Sequence, residues 1–448
     1  MTDKEFSQAL RLGLGSAILK LKNAGDNSKY RDIVLHCCLR DIAHDTQVEG
    51  TKGYYLYTAI KTFGDQEVFL DSIAEKFEKR LYWRLSEQLY DTLCCFSNDG
   101  HETAEDALEK KYNELKNRLP TMRSFRLDYC ERELLERLMI RKLNNGFKEF
   151  KRCVNDIEEM VLKRGNSDCL WCDFFLDHAM EIFGEKRVND FVDEMYEKSS
   201  AIKIVVDILK AEALSREEYQ ANLFSESVTI EVLLQNARES ATSENPRSLM
   251  ARFGYIFAKM ASEADFLELA HIVLRENDET VKALLLMMFR RRPFPLDVTP
   301  LIEYAQSKNK LLSEISIDKL GYIKNKRLHD LAIHLLEENG LHSFALGLLK
   351  KNYRKADDNF IRKLIVKTTS VPQYIQSDIA NIYLNHRSVD AYPILRHVYK
   401  NGECSHCRHR IVRAMNHCKV LTSEILEECL YDSYEDTRKY AQRISSRR

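Results

Sequence analysis

Glycine and proline are scarce in this chain, at 15 and 7 of 448 residues, against ordinary shares of about 7% and about 5%. With so few breakers and abundant Leu, Glu, Lys and Ala, the composition argues for helix. Strand-type alternation between turn signals is also missing, so the predicted class is all-α. No apolar run approaches the roughly 20 residues that a bilayer-spanning helix needs. The longest wholly apolar stretch is Ala283 to Phe289, and no membrane partner is expected. Glycine-rich phosphate loops, nucleophile elbows and His-Glu-x-x-His zinc helices are absent from the sequence, and no cofactor is expected. Neither sign of charge dominates, the net charge being −1. The 44% hydrophobic content excludes wholesale disorder.

The first 22 residues read as an amphipathic helix, opened by Thr2, Asp3 and Glu5 as a capping box. They lack a continuous apolar core of the signal-peptide kind, so the expected compartment is the cytoplasm. Twelve cysteines fit a reducing compartment. Cys37–Cys38 and Cys94–Cys95 are neighbours that rarely bridge each other. Cys38 shares an apolar face with Leu35, Leu39 and Ile42, as a buried free thiol would.

What the chain does have is a recurrent helical period. Val281, Leu284, Leu285, Met288 and Phe289 fall at i, i+3, i+4, i+7 and i+8. Leu328, Leu331, Ala332, Leu335 and Leu336 repeat that spacing, as do Leu341, Phe344, Ala345, Leu348 and Leu349. Further sets follow around Ile361, Ile379, Ile394, Ile411 and Ile425, before a terminal helix from Glu435. Helices this short cannot each bury a face alone and must stack on neighbours, which predicts a right-handed α-solenoid. The N-terminal half is helical but less regular. Helices are expected over Leu35–Ile42, Leu56–Phe63, Phe69–Ile73, Ala104–Leu119, Cys169–Phe183 and Arg187–Tyr196, with a hairpin of Tyr129–Leu143 and Phe147–Leu162. The polar segment 238–246 ends in a helix-start proline and marks the expected joint. The predicted regions are therefore 1–240, irregular, and 247–446, repetitive.

The segment from Ser423 to Ala441 (SEILEECLYDSYEDTRKYA) resembles a HEAT repeat junction. Asp432, Asp436, Arg438 and Ala441 match that family's pattern, while Thr437 replaces the usual aliphatic. Leu301–Ala305 through Gly321 is similar, more loosely. The resemblance covers about residues 249–446 and implies a helical-hairpin solenoid. It implies nothing about activity.

The near-zero net charge conceals a split. Residues 282–419 contain 24 Lys and Arg against 12 Asp and Glu, a surplus of 12, so the remainder carries −13. Eight of the 13 histidines lie in the same stretch. The cations cluster as Arg290, Arg291 and Arg292; Lys324, Lys326 and Arg327; Lys350, Lys351, Arg354 and Lys355; Arg362 and Lys363; and Arg408, Arg410 and Arg413. Recurring near successive helix ends, they would line one edge of a stack, as a polyanion-binding stripe does. Alternatively they satisfy helix C-termini, or an acidic N-terminal half docks on them.

Two other clusters carry metal or acid–base ingredients. Cys404 and Cys407, with His417 and Cys418 further on, could ligate zinc, while His406 and His409 read as solvated. Buried structural thiols are the preferred reading. Cys169 and Cys172 with His178 lack a second ligand pair. Asp41, His44, Asp45, Gln47 and Glu49 crowd one junction and read as helix caps in preference to acid–base residues. HEAT-like DNA glycosylases resemble the chain in architecture and charge, but their chemistry needs an acid and indole rings in the cleft. Trp83 and Trp171 both fall outside the basic stretch, and no catalytic residue carries over. The leading expectation is a non-catalytic scaffold or adaptor holding a protein partner on a concave face. A DNA- or RNA-binding solenoid stands second and a glycosylase or other hydrolase third.

Overall fold

The computed structural model describes residues 1–121, 125–164, 173–225, 228–289 and 292–447. Arg290, Arg291, Cys169, Cys172 and Trp171 lie outside them. Among the described residues the chain is all-helical, its only extended pairing being a lone bridge between Val371 and Gly402. No helix there is long and apolar enough to cross a membrane. Two compact units form. One comprises Met1–Tyr219 with Tyr431–Tyr434, the other Gln220–Leu430 with Glu435–Arg448.

Local chemistry sets the helix ends. Thr2 and Glu5 make the expected capping box, and Asp3–Leu12 ends at Gly13 with φ 75°. Pro246, the last residue of the polar 238–246 segment, opens Pro246–Met260; residues 238–241 of that segment still belong to Ile230–Ala241, on which the new helix packs within the second unit. Ser262 with Asp265, Asp278, Asn309, Asn325 and Thr422 cap the helices they precede.

Some predicted runs outlast their helices. Glu279–Leu286 stops before Met288 and Phe289, which leave in a turn yet stay fully buried. Phe289 turns inward against Phe266 and Phe294, with ring centres 5.7 and 5.2 Å away. Gly340, at φ 69°, ends Lys326–Asn339, so Leu341 precedes the next helix, Ser343–Asn352. Three long helices were not anticipated, Trp83–Asn98, Ser200–Ser225 and Ile230–Ala241. In the first, buried Glu87, Gln88 and Thr92 interrupt the apolar stripe that would have announced it.

In each unit a row of helices packs each on the second one along. In the second unit the row runs Glu279–Leu286, Lys310–Leu320, Ser343–Asn352, Gln373–Asn385, Ser405–His417 and Glu435–Ser445. Thr299–Tyr304, Lys326–Asn339, Tyr392–Asn401 and Ser423–Cys429 each pack on the row helix that follows. In the first unit the row runs Asp3–Leu12, Arg31–Cys38, Gly53–Ile60, Trp83–Asn98, Phe125–Lys142 and Asp173–Phe183. Side chains such as Leu284, Leu320, Leu348, Ile379 and Ile411 are fully buried or nearly so. Truncating one of these to Ala costs about 2–5 kcal/mol.

Candidate functional site

The basic positions do not share one environment. Arg408 is 0% exposed and leaves the set of surface contacts, because it lies where the Ser405–His417 helix packs against neighbouring helices. Arg410 bonds Ser377 Oγ and Asn381 Oδ1, both at 2.6 Å, tying its helix to the previous one in the row. Arg292 pairs with Glu263 at 2.7 Å and stacks over Phe266. Arg354 faces Asp330 at 3.5 Å, Lys355 faces Asp390 at 3.3 Å, and Arg327 donates to Thr299 Oγ1 at 3.1 Å. Lys350 lies 5.7 Å from the Tyr322 ring. Lys324, Lys326, Lys351 and Arg413 are exposed.

The histidines and arginines near helix ends have a local use. His386 Nε2 bonds Lys350 O at 2.9 Å, His397 Nε2 bonds Thr368 O at 2.9 Å, and Arg387 Nε donates to His417 O at 2.8 Å. Asn352 Nδ2 serves Ile323 O in the same way, at 2.9 Å. These carbonyls close helices or turns and have no intrahelical donor. Part of the surplus of basic and imidazole groups therefore follows from stacking short helices.

The four residues weighed from sequence as zinc ligands, with buried thiols preferred, do not converge as one set. Cys404 and Cys407 meet at one end of Ser405–His417. His417 and Cys418 sit at its other end, roughly 20 Å along the axis at 1.5 Å per residue. Cys418 Sγ points to Tyr383 O at 3.5 Å. His406, read from sequence as solvated, instead lies half-buried beside the first two cysteines.

The junction 41–50 uses its carboxylates on backbone. Asp45 caps Thr46–Glu49, Asp41 accepts Ala43 N–H at 3.1 Å, and Glu49 accepts His44 N–H at 2.5 Å. Arg84 holds Asp41 at 3.0 Å. Gln88 donates its amide to the carbonyls of Cys37, Cys38 and Arg40, so a buried polar side chain closes Arg31–Cys38.

Beside this junction lies a cleft of about 500 Å³ that sequence reasoning did not find. Thr46, Gln47, Gly50 and Thr51 form one wall, Trp83, Glu87 and Asp91 a second, and Cys130, Glu133 and Arg137 a third. Trp83, Glu87 and Asp91 stand at i, i+4 and i+8 on one helix face. Gly53 admits that helix closely, since a Cβ there would lie 2.6 Å from Asp91 Cβ and 2.9 Å from Gln88 O. Thr51 Oγ1 thereby reaches Asp91 and donates to it.

One guanidinium serves both carboxylates of that face. Arg137 Nη2 lies 3.2 Å from Glu87 and Nη1 3.9 Å from Asp91. Burial pushes the Glu87 carboxyl upward, against the pull of Arg137. Burial also raises Asp91, opposed by Thr51 and Arg137. The Cys130 thiol is raised by burial and by the neighbouring glutamates, Glu133 first among them. Glu87, Asp91 and Glu133 against Arg137 leave the cleft with an excess of carboxylate beside an indole, an arrangement suited to receiving a cation. A signal was present in the sequence as Glu87, Gln88 and Asp91 inside a helical period, but polar residues do not declare their burial.

No protein-family profile matches the chain, and no curated protein or solved structure matches it.

Proposed function

We propose that the chain is a non-catalytic scaffold whose two units are α-solenoid segments of HEAT-like hairpins, and that it binds a protein partner. Its first unit takes a basic segment of that partner in the Trp83–Glu87–Asp91 cleft. The observation that carries this reading is one cleft of about 500 Å³ lined by three carboxylates, one indole and a single guanidinium, which pairs with two of the carboxylates. Helix-on-second-helix packing in each unit supports the solenoid assignment. An arginine or lysine side chain entering the cleft would gain a partly desolvated carboxylate and the indole face together.

The chain has two tryptophans, Trp83 and Trp171, so Trp171→Phe leaves the cleft indole as sole reporter. Titrating that variant with an oligoarginine peptide should give a saturable emission change. Glu87→Gln with Asp91→Asn should weaken binding by about tenfold or more, since each buried charge-assisted contact contributes about 1.5–3 kcal/mol. An emission that does not saturate at low salt overturns the cleft assignment.

A second reading, polyanion binding by the second unit, rests on the exposure of Lys324, Lys326, Lys351, Arg362, Lys363 and Arg413. It requires oligonucleotide affinity that falls steeply with salt. Fluorescence polarisation showing no binding at low salt removes it.

A further inference from the structure

We propose that Cys404, His406 and Cys407 form a zinc site at the start of the Ser405–His417 helix. The two sulfurs and one ring nitrogen of His406 all lie within 4.8 Å of one another. Around Zn²⁺, with bonds of about 2.3 Å to sulfur and about 2.0 Å to nitrogen, such donors stand roughly 3.5–4 Å apart. Closing the cluster on an ion thus needs movement of about 1 Å. Both thiols are buried and the imidazole is half-buried.

Local geometry produces the convergence. Cys404 is the residue just before the helix, and its sulfur accepts the Cys407 N–H at 3.5 Å, which fixes the two cysteines one turn apart. A backbone donor to a ligating sulfur is the outer-shell contact that orients metal thiolates. His406 enters from the same first turn, so one short segment supplies all three donors.

The donor set selects the metal. Two sulfurs and an imidazole are soft to borderline ligands that disfavour Mg²⁺ and Ca²⁺ and suit Zn²⁺. Two thiolates offset the charge of the ion, so metal entry buries no net charge, and binding would release the thiol protons. Three protein donors leave a fourth coordination position for solvent or an added ligand.

The full-length chain, reduced, loaded with zinc sulfate and desalted, should retain about one equivalent by plasma mass spectrometry. Loaded with Co²⁺ instead, it should show thiolate-to-metal charge-transfer absorption in the near ultraviolet. His406→Ala and Cys407→Ser should each weaken retention by more than about tenfold, while His417→Ala and Cys418→Ser retain the metal. Where a cysteine variant fails to fold, His406→Ala decides, because its side chain is half-buried and circular dichroism can verify the fold. No retained metal, a Co²⁺ spectrum lacking the thiolate band, or unchanged retention in His406→Ala overturns the assignment.

Discussion

Tyr383 donates its hydroxyl to Asp358 Oδ1 across 2.6 Å in the interior of the second unit. Tyr353 donates to the same oxygen at 2.7 Å, and Ser388 Oγ to Oδ2 at 2.5 Å. Burial, then the Asp358 bond, drives the Tyr383 phenol well above its ordinary range. Removing the acceptor strands three hydroxyls, whereas removing one hydroxyl leaves the acceptor served. Asp358→Ala should therefore cost about 2–4 kcal/mol and Tyr383→Phe about 1 kcal/mol. Urea unfolding followed by helical circular dichroism measures both, and equal losses would refute the asymmetry.

Asp378 gives the second unit a pH dependence. Burial lifts its carboxyl to about 6, although Ser343 donates to it. The folded-state value lies above the unfolded one, so the folded chain holds an extra proton between about pH 4 and 6. Its stabilising contribution is full below about pH 4 and is lost as pH rises through about 6. Asp378→Asn should flatten that part of the profile and stabilise the protein at pH 7 by roughly 1–3 kcal/mol. Urea midpoints at pH 4, 5, 6 and 7 would show it; parallel wild-type and variant profiles would not fit.

Arg137 compensates buried Glu87 and half-buried Asp91, whose carboxyls burial already raises. Arg137→Ala raises them further, so the penalty appears only where the carboxylates must ionise. With Arg137 itself partly exposed, the variant should lose about 1–2 kcal/mol at pH 7 and distinctly less at pH 5. A loss independent of pH would mean that Arg137 acts through packing alone. By the same sign, oligoarginine affinity of the intact cleft should drop as pH falls from 7 to 5, read from Trp83 emission.

Gly13 ends the first helix at φ 75°, and its carbonyl accepts Ser433 N–H at 2.9 Å within the first unit. A Cβ at this position would overlap Oγ and Cβ of Ser433. Gly13→Ala should destabilise by about 1–3 kcal/mol, combining left-handed strain with the clash. Faster hydrogen exchange at the Ser433 amide would report the lost contact; unchanged exchange and stability would contradict it.

The helical class, the capping box at Thr2 and Glu5, and most helix positions were legible in the chain, because apolar spacing and cap residues act within a few neighbours. Pro246 and Gly340 marked boundaries for the same reason. Composition also revealed the positive stretch at 282–419, since charge counts need no coordinates. Which cations face solvent was a tertiary matter. Arg408 and Arg413 lie a few residues apart on one helix, yet neighbouring helices enclose the first and leave the second exposed. The cleft came from tertiary packing too, because Glu87 and Asp91 meet Arg137 only when Trp83–Asn98 and Phe125–Lys142 lie side by side. His406 shows the limit most clearly: its spacing could not say whether its ring turns to water or to two sulfurs, since burial depends on helices distant in the chain.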